Sequence, residues 1–184
     1  MCGRIGFDLR PGQLAARFPG FRIPEDLPPR YNVAPTMPIL ALDPAAKTAA
    51  YYRWGLDGNS STGHFNIREE TAADNPRYRR LPPVIIPVSH FYEWSGRQPM
   101  KIARADGEPL LIAGLRGHWE GLPAVTMITT EARGAIVPFH HRMPVLLEEA
   151  ELIAAPVSQL LNDVRNEGPE LLNEPAELQL RLLG

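Results

Sequence analysis

The sequence predicts an α+β fold, with curved antiparallel sheets forming a barrel-like core and short flanking helices. Three observations predict it. Short apolar runs rich in Val, Ile, Tyr and Trp recur along the chain, separated by Asp-Pro, Asp-Gly and Gly turns. Twenty prolines in 184 residues are dispersed rather than clustered, so they punctuate many short elements. Apolar residues make up 44% and charged residues 22%, the balance of a chain with a buried core.

The elements follow in order. Arg4 to Asp8 reads as a first strand that fixes the N-terminus to the body. Pro11 to Phe18 reads as a short helix, with proline at its start and Leu14 and Phe18 on one face. Pro24 to Arg30 is a proline-rich loop, and Arg30 to Thr36 an irregular connector in which Pro35 forces Ala34 to be extended. Met37 to Leu42 and Thr48 to Trp54 form a hairpin around Asp43-Pro44. Asp57 to Gly63 is a polar loop. Phe65 to Thr71 starts a short helix with Asn66 at the cap, and Asn75-Pro76 breaks it. Val84 to Trp94 carries the strongest strand signal. Pro99 to Arg104, Leu110 to Trp119 and Pro123 to Thr130 are three more strands, and Thr130 to Ala132 opens a short helix. Val145 to Leu147 is a strand and Glu148 to Ala155 a helix. From about residue 165 to 184 the chain reads as an edge segment and tail.

Composition bounds the function. No apolar stretch approaches the roughly 20 residues of a membrane span, and no apolar run follows a basic segment at the N-terminus. One cysteine leaves no internal disulfide, so a cytoplasmic protein is expected. Five histidines with one cysteine show no zinc spacing, and no metal or other cofactor is expected. A net charge of −2 argues against nucleic-acid binding by the whole surface but leaves room for a local basic groove. The length suits one domain spanning residues 1–184, and a monomer is expected.

Chemistry concentrates at the start. Met1 precedes a small residue, Cys2, and its removal would leave a terminal cysteine with a free α-amine and a thiol. These titrate near roughly 8 and 8.5, so both are partly nucleophilic at neutral pH. The amine can attack an aldehyde to give a Schiff base, and the thiolate can then close a five-membered ring. Alternatively the thiol attacks an amide, or Cys2 is simply a small buried hydrophobe.

Other polar groups stand out against apolar surroundings. Asn66 and Arg68 either end a helix or face a site. Glu93, between Tyr92 and Trp94, is a usable acid or base if buried, and an idle carboxylate if it faces water. His140-His141-Arg142 adjoins a rigid Met143-Pro144. Arg77, Arg79 and Arg80, with Tyr78 interleaved, are either phosphate contacts or a solvated face. Trp54 and Trp94 are either stacking residues or core.

The ordered motifs resemble the SOS-response-associated peptidase family (SRAP domain). They are Met1-Cys2-Gly3-Arg4, Arg30 to Thr36, Trp54-Gly55-Leu56, Asn66-x-Arg68-x-Glu70-Thr71, Phe91-Tyr92-Glu93-Trp94, Ala113-Gly114-Leu115, Thr129 to Ala132 and His140-x-Arg142-Met143-Pro144. Matches run from residue 2 to Pro156-Val157-Ser158. The resemblance implies a sensor of abasic sites in single-stranded DNA that links covalently to the ring-opened sugar. The Cys2 amine would form the Schiff base and its thiol the thiazolidine. Asn66 would orient the adduct, Glu93 shuttle protons and His140 act as acid/base partner. Arg4, Arg68 and Arg142 match phosphate-holding positions. Self-processing peptidase activity and a β-eliminating lyase activity come with the resemblance, as does association with the nucleoid when DNA is bound. The chain departs from the pattern after Leu56, where Asp57-Gly58-Asn59 and a short loop follow, and at Ile67, His90 and His141. Two rivals remain: an N-terminal-nucleophile cysteine amidohydrolase, and a non-covalent single-strand DNA binding module.

Overall fold

The structure is a computed structural model that describes residues 2–58 and 60–175. Its centre is a closed barrel. Strand β1 (Ile5–Phe7), helix α1 (Pro11–Arg17) and strand β2 (Arg30–Val33) lead into the hairpin β3 (Pro38–Asp43) and β4 (Thr48–Trp54). A short β5 (Asn66–Arg68) precedes helices α2 (Glu69–Asp74) and α3 (Pro76–Arg79). Then come β6 (Pro83–Val88), β7 (His90–Ser95), β8 (Gln98–Arg104), β9 (Leu110–Trp119), β10 (Leu122–Glu131), β11 (Arg142–Pro144) and β12 (Leu152–Pro156). Strands β10, β4, β3, β6 and β9 follow one another, and β9 pairs back onto β10. The β4–β10 seam is parallel, Arg53 opposite Ala124 and Trp54 opposite Val125. The remaining joints are antiparallel. A second, wholly antiparallel sheet has the order β12-β8-β7-β1-β2.

The core lies where the two sheets face each other. Cys2, with Ile5, Phe91 and Ile102 of the open sheet, packs with Trp54, Ile86, Ile112 and Met127 from the barrel. The hairpin of β3 and β4 turns where the sequence places the turn. The Asp43 carboxylate accepts the N–H of Ala45 at 2.9 Å and pairs with Arg116 of β9 at 2.8 Å.

Several expectations are corrected. Arg30 to Val33 is a strand, because β1 supplies it with an antiparallel partner. Val84 to Trp94 is two strands in different sheets. The break is at Ser89, whose N–H donates to Gly6 O at 3.0 Å and whose hydroxyl accepts from Asp8 N–H at 2.9 Å. Residues 148–155 do not form a helix. Leu152 to Pro156 adds to the free edge of β8, with Leu152 and Ala154 packed on the core and Ile153 exposed between them. An edge in need of a partner here outweighs the helix propensity of a Glu-Ala-Leu run. Thr130 and Glu131 continue β10 rather than opening a helix. Val145 to Leu147 forms no named strand; Leu146 makes an isolated bridge to Ile112. The segment after 164 is not a loose tail in its described part, since Leu171 is fully buried with Leu161, Val157 and Tyr92. Residues 176–184 of the expected tail lie outside the described residues, as do Met1 and Asn59.

Among the described residues no helix is long and apolar enough to cross a membrane. His90 fills space that Gly6 leaves open: a β-carbon on Gly6 would lie 1.9 Å from His90 Nε2. The His90 ring bonds the Tyr92 hydroxyl at 2.7 Å, and that hydroxyl donates to Tyr31 O at 2.8 Å. Burial pushes the His90 pKa down to about 4, so the ring is neutral.

Candidate active site

The pairing of β1 with β7 continues toward the N-terminus, with Tyr92 N–H donating to Arg4 O at 3.0 Å. Glu93 is the next residue, and its charge reaches the Cys2 side chain. Cys2 is fully buried, and its Sγ–H donates to Arg4 O at 3.8 Å. Burial pushes the thiol far above its usual range, and the Glu93 charge pushes it further. The thiol is therefore held as S–H and needs a base before it can react. Glu93 is itself buried, at 4% exposure, and burial raises its carboxyl. A buried carboxyl beside a buried thiol is suited to moving a proton.

Asn66 opens β5, which pairs with β10 at Met127 to Thr129. Ile67 points into the core, so Asn66 and Arg68 share the opposite face. Of the two sequence readings of Asn66, a helix cap or a group facing a site, its side chain follows the second. Its Nδ2–H donates to Cys2 O at 2.6 Å. Its Oδ1 is buried and has no partner among the described residues, an acceptor left over for an incoming N–H or O–H.

His140 lies just before β11. Arg142 N–H donates to its Nδ1 at 2.8 Å, so in the neutral ring the proton sits on Nε2. Burial lowers the His140 pKa, which favours that neutral form. His141 stacks on it with ring centroids 4.4 Å apart and is exposed. Long β10 carries both flanks of the site: Thr129 pairs with Arg68 on one side and Glu131 with Arg142 on the other. The β5 and β11 backbones thus lie about 10 Å apart, two strand spacings. An open cleft of about 440 Å³ runs beside His140, Phe139 and Glu131.

The residues expected to hold DNA divide. Arg68, Arg77 and Arg79 are exposed. Arg77 donates to Asp57 O at 2.6 Å, and its guanidinium lies 5.6 Å from the Tyr78 ring centroid. Arg4 lies 5.8 Å from the Trp94 ring centroid, and Trp94 is half-buried with Nε1–H on Asn162 Oδ1 at 2.7 Å. Trp54 is corrected from stacking candidate to core: it is wholly buried, with Nε1–H on Phe65 O at 2.9 Å. Arg142 is nearly buried, forming a bidentate pair with Glu70 at 2.8 and 3.0 Å and bonding Thr129 O at 2.5 Å. These bonds tie up three of its five N–H donors. Sequence reasoning gave no role to Glu70 or Asn32. Neither shows a local signal, because their partners Arg142 and Arg4 lie 72 and 28 residues away.

The family described as SOS response associated peptidase (SRAP) matches residues 1–180. This chain belongs to the SRAP family. It is 29% identical over 225 residues to the abasic site processing protein YoqW of Bacillus subtilis (strain 168), covering 94% of this chain and 99% of that protein. It is 36% identical over 141 residues to the abasic site processing protein YoaM of the same organism, covering 65% and 62%. A solved structure of a protein from Bacteroides thetaiotaomicron superposes with a TM-score of 0.75 over 94% of this chain and 99% of that one, at 16% identity, and so shares the SRAP fold. The SRAP motifs noted in the sequence thus converge in space at Cys2, Asn66 and Glu93, with His140 across β10.

Proposed function

We propose that this protein, a single SRAP domain, processes abasic sites in single-stranded DNA by linking Cys2 covalently to the sugar after Met1 is removed. The observation that carries the reading is the grip of Asn66 on Cys2 O, with the raised carboxyl of Glu93 beside the thiol. The names of YoqW and YoaM as abasic site processing proteins support it.

The chemistry follows from the groups present. The Cys2 amine adds to the C1′ aldehyde of the opened sugar, giving a carbinolamine. Protonated Glu93 donates to the departing hydroxyl, and water leaves as the imine forms. The Glu93 carboxylate so produced takes the Sγ proton. Sulfur then adds to the carbon of the protonated imine, whose nitrogen keeps the N–H of the carbinolamine, and the neutral thiazolidine closes with Glu93 protonated again. Asn66 fixes the Cys2 backbone through this sequence and offers Oδ1 to a sugar hydroxyl or the amine. Neutral His140, with its proton on Nε2, is the second acid/base group and serves reversal. Arg68 and Arg4, with Arg77 and Arg79, contact phosphates, and Trp94 offers an aromatic edge to a base. The imine also permits β-elimination, a lyase side activity, and peptidase action is confined to exposing Cys2.

The test compares two oligonucleotides. One carries a natural abasic site, the other a tetrahydrofuran analogue that cannot open to an aldehyde. A denaturation-resistant adduct with the first alone supports the reading. Equal, non-covalent retention of both contradicts it. Glutamine hydrolysis by the same preparation would favour an amidohydrolase.

A further inference from the structure

We propose that Asn32 is a positioning residue for the N-terminal arm, holding Arg4 against the chain segment 161–166 so that Cys2 stays in place. The proposal rests on the Cys2-centred reading above. Asn32 sits on β2 and is wholly buried. Its Oδ1 accepts from Arg4 Nη1 at 2.5 Å. Its Nδ2 donates to the carbonyls of Asp163 and Asn166, both at 2.9 Å, with Leu161 O more distant at 3.4 Å. Arg4 Nη1 also reaches Leu161 O at 3.0 Å. One amide therefore joins Arg4, the residue before β1, to a segment that begins 157 residues further along the chain.

The choice of an amide has a physical reason. It must donate twice to main-chain carbonyls and accept once from a cation, and only Asn or Gln can do both. An aspartate would accept from Arg4 but face two carbonyl oxygens with no proton to offer. It would also neutralise the positive charge next to Cys2. Burial already lowers the Arg4 pKa, and the hydrogen bonds described for its guanidinium go to neutral oxygens. Asn32 thus fixes the guanidinium without cancelling its charge. The anchoring reaches Cys2 through two residues of backbone, where Arg4 O accepts from both Tyr92 N–H and Cys2 Sγ–H.

Two rates test the proposal in Asn32→Ala. The first is alkylation of the lone cysteine by iodoacetamide, which needs no DNA. The second is adduct formation with abasic single-stranded DNA. A released arm exposes Cys2, so alkylation should rise about tenfold while adduct formation falls about tenfold or more. Leu14→Ala, in the separate cluster under α1, serves as a control destabilised without loss of the arm, and should move neither rate comparably. Unchanged rates in Asn32→Ala overturn the proposal, as does an equal change in Leu14→Ala. If the parent protein forms no adduct, the functional reading fails, while alkylation still decides the role of Asn32. If Asn32→Ala does not fold, Asn32→Ser, which adds no charge against the two carbonyls, is read by the same two rates with the same changes expected, and unchanged rates again overturn the proposal.

Discussion

The Asn66 side-chain amide donates to the carbonyl oxygen of Cys2 at 2.6 Å, joining residues 64 apart in sequence. The bond orients a peptide unit rather than a reacting atom. It fixes the direction in which the Cys2 amine and thiol leave the backbone, the two groups to which the proposed reaction assigns the attack.

Asn66→Ala removes that orientation and leaves a hole where Oδ1 was. Its adduct rate should fall by about ten- to a hundredfold, as expected when reacting groups lose alignment. Asn66→Asp should fare no better, because a carboxylate cannot donate to Cys2 O. Single-turnover rates at saturating abasic DNA check this, and a rate for either variant equal to the parent's would remove Asn66 from the mechanism.

Glu93 links activity to stability. Burial raises its pKa, so the folded state holds the proton more tightly than the unfolded chain. Stability attributable to this group is therefore highest at low pH, and it falls as pH rises through the unfolded value of about 4.3 toward the folded one. Glu93→Gln removes that loss. Its melting temperature should exceed the parent's near neutral pH and converge with it in acid. Its adduct rate should nevertheless fall, by about 10²- to 10⁴-fold for a general acid/base group. Thermal melts from pH 3 to 8 beside single-turnover rates test both signs.

Glu70 has the opposite sign. Its bidentate hydrogen bonds to Arg142 depress its carboxyl to about 2. The stability it provides is present above the unfolded value of about 4.3 and is lost as pH falls toward the folded one. Glu70→Gln should melt lower than the parent at pH 7 and alike at pH 2. Because Glu70 is exposed, the difference should also shrink with added salt.

The two tryptophans should separate by function. Trp54→Ala opens the core between barrel and sheet and should cost about 3–5 kcal/mol of stability. Trp94→Ala, at a half-buried ring beside Arg4, should cost less stability and weaken single-strand binding. Urea melts and binding isotherms for the pair read this directly.

Much of this was legible in the sequence, and the exceptions share a cause. The β3–β4 hairpin and strands β8 to β10 announce themselves through local turns and apolar runs. The split of Val84 to Trp94 at Ser89 does not, because the short polar break at Ser89-His90 carries no mark of which sheet each apolar half joins. Strand β12 is hidden for a related reason: the Glu-Ala-Leu run of residues 148–155 that overlaps it favours helix until the open edge of β8 is present. At the site, Cys2 is marked by its position and Glu93 by its apolar neighbours. Residue type leaves Asn66 open between a helix cap and a site-facing amide, because its partner, Cys2 O, is remote in sequence. Trp54 and Arg142 show the same limit, since residue type gives no indication that one is buried and the other tied to Glu70.

The most direct measurement is a denaturing gel of the protein, with Met1 removal verified by mass, after incubation with single-stranded DNA bearing one abasic site. Parent protein and Cys2→Ala are run with and without borohydride. The imine and the thiazolidine have the same mass and differ in their need for reduction. The parent should give a shifted band without reductant, whereas Cys2→Ala, which keeps an α-amine but no thiol, should give one only when borohydride traps its imine. No stable band from the parent, or an equal unreduced band from Cys2→Ala, would contradict the assignment of both nucleophiles to Cys2.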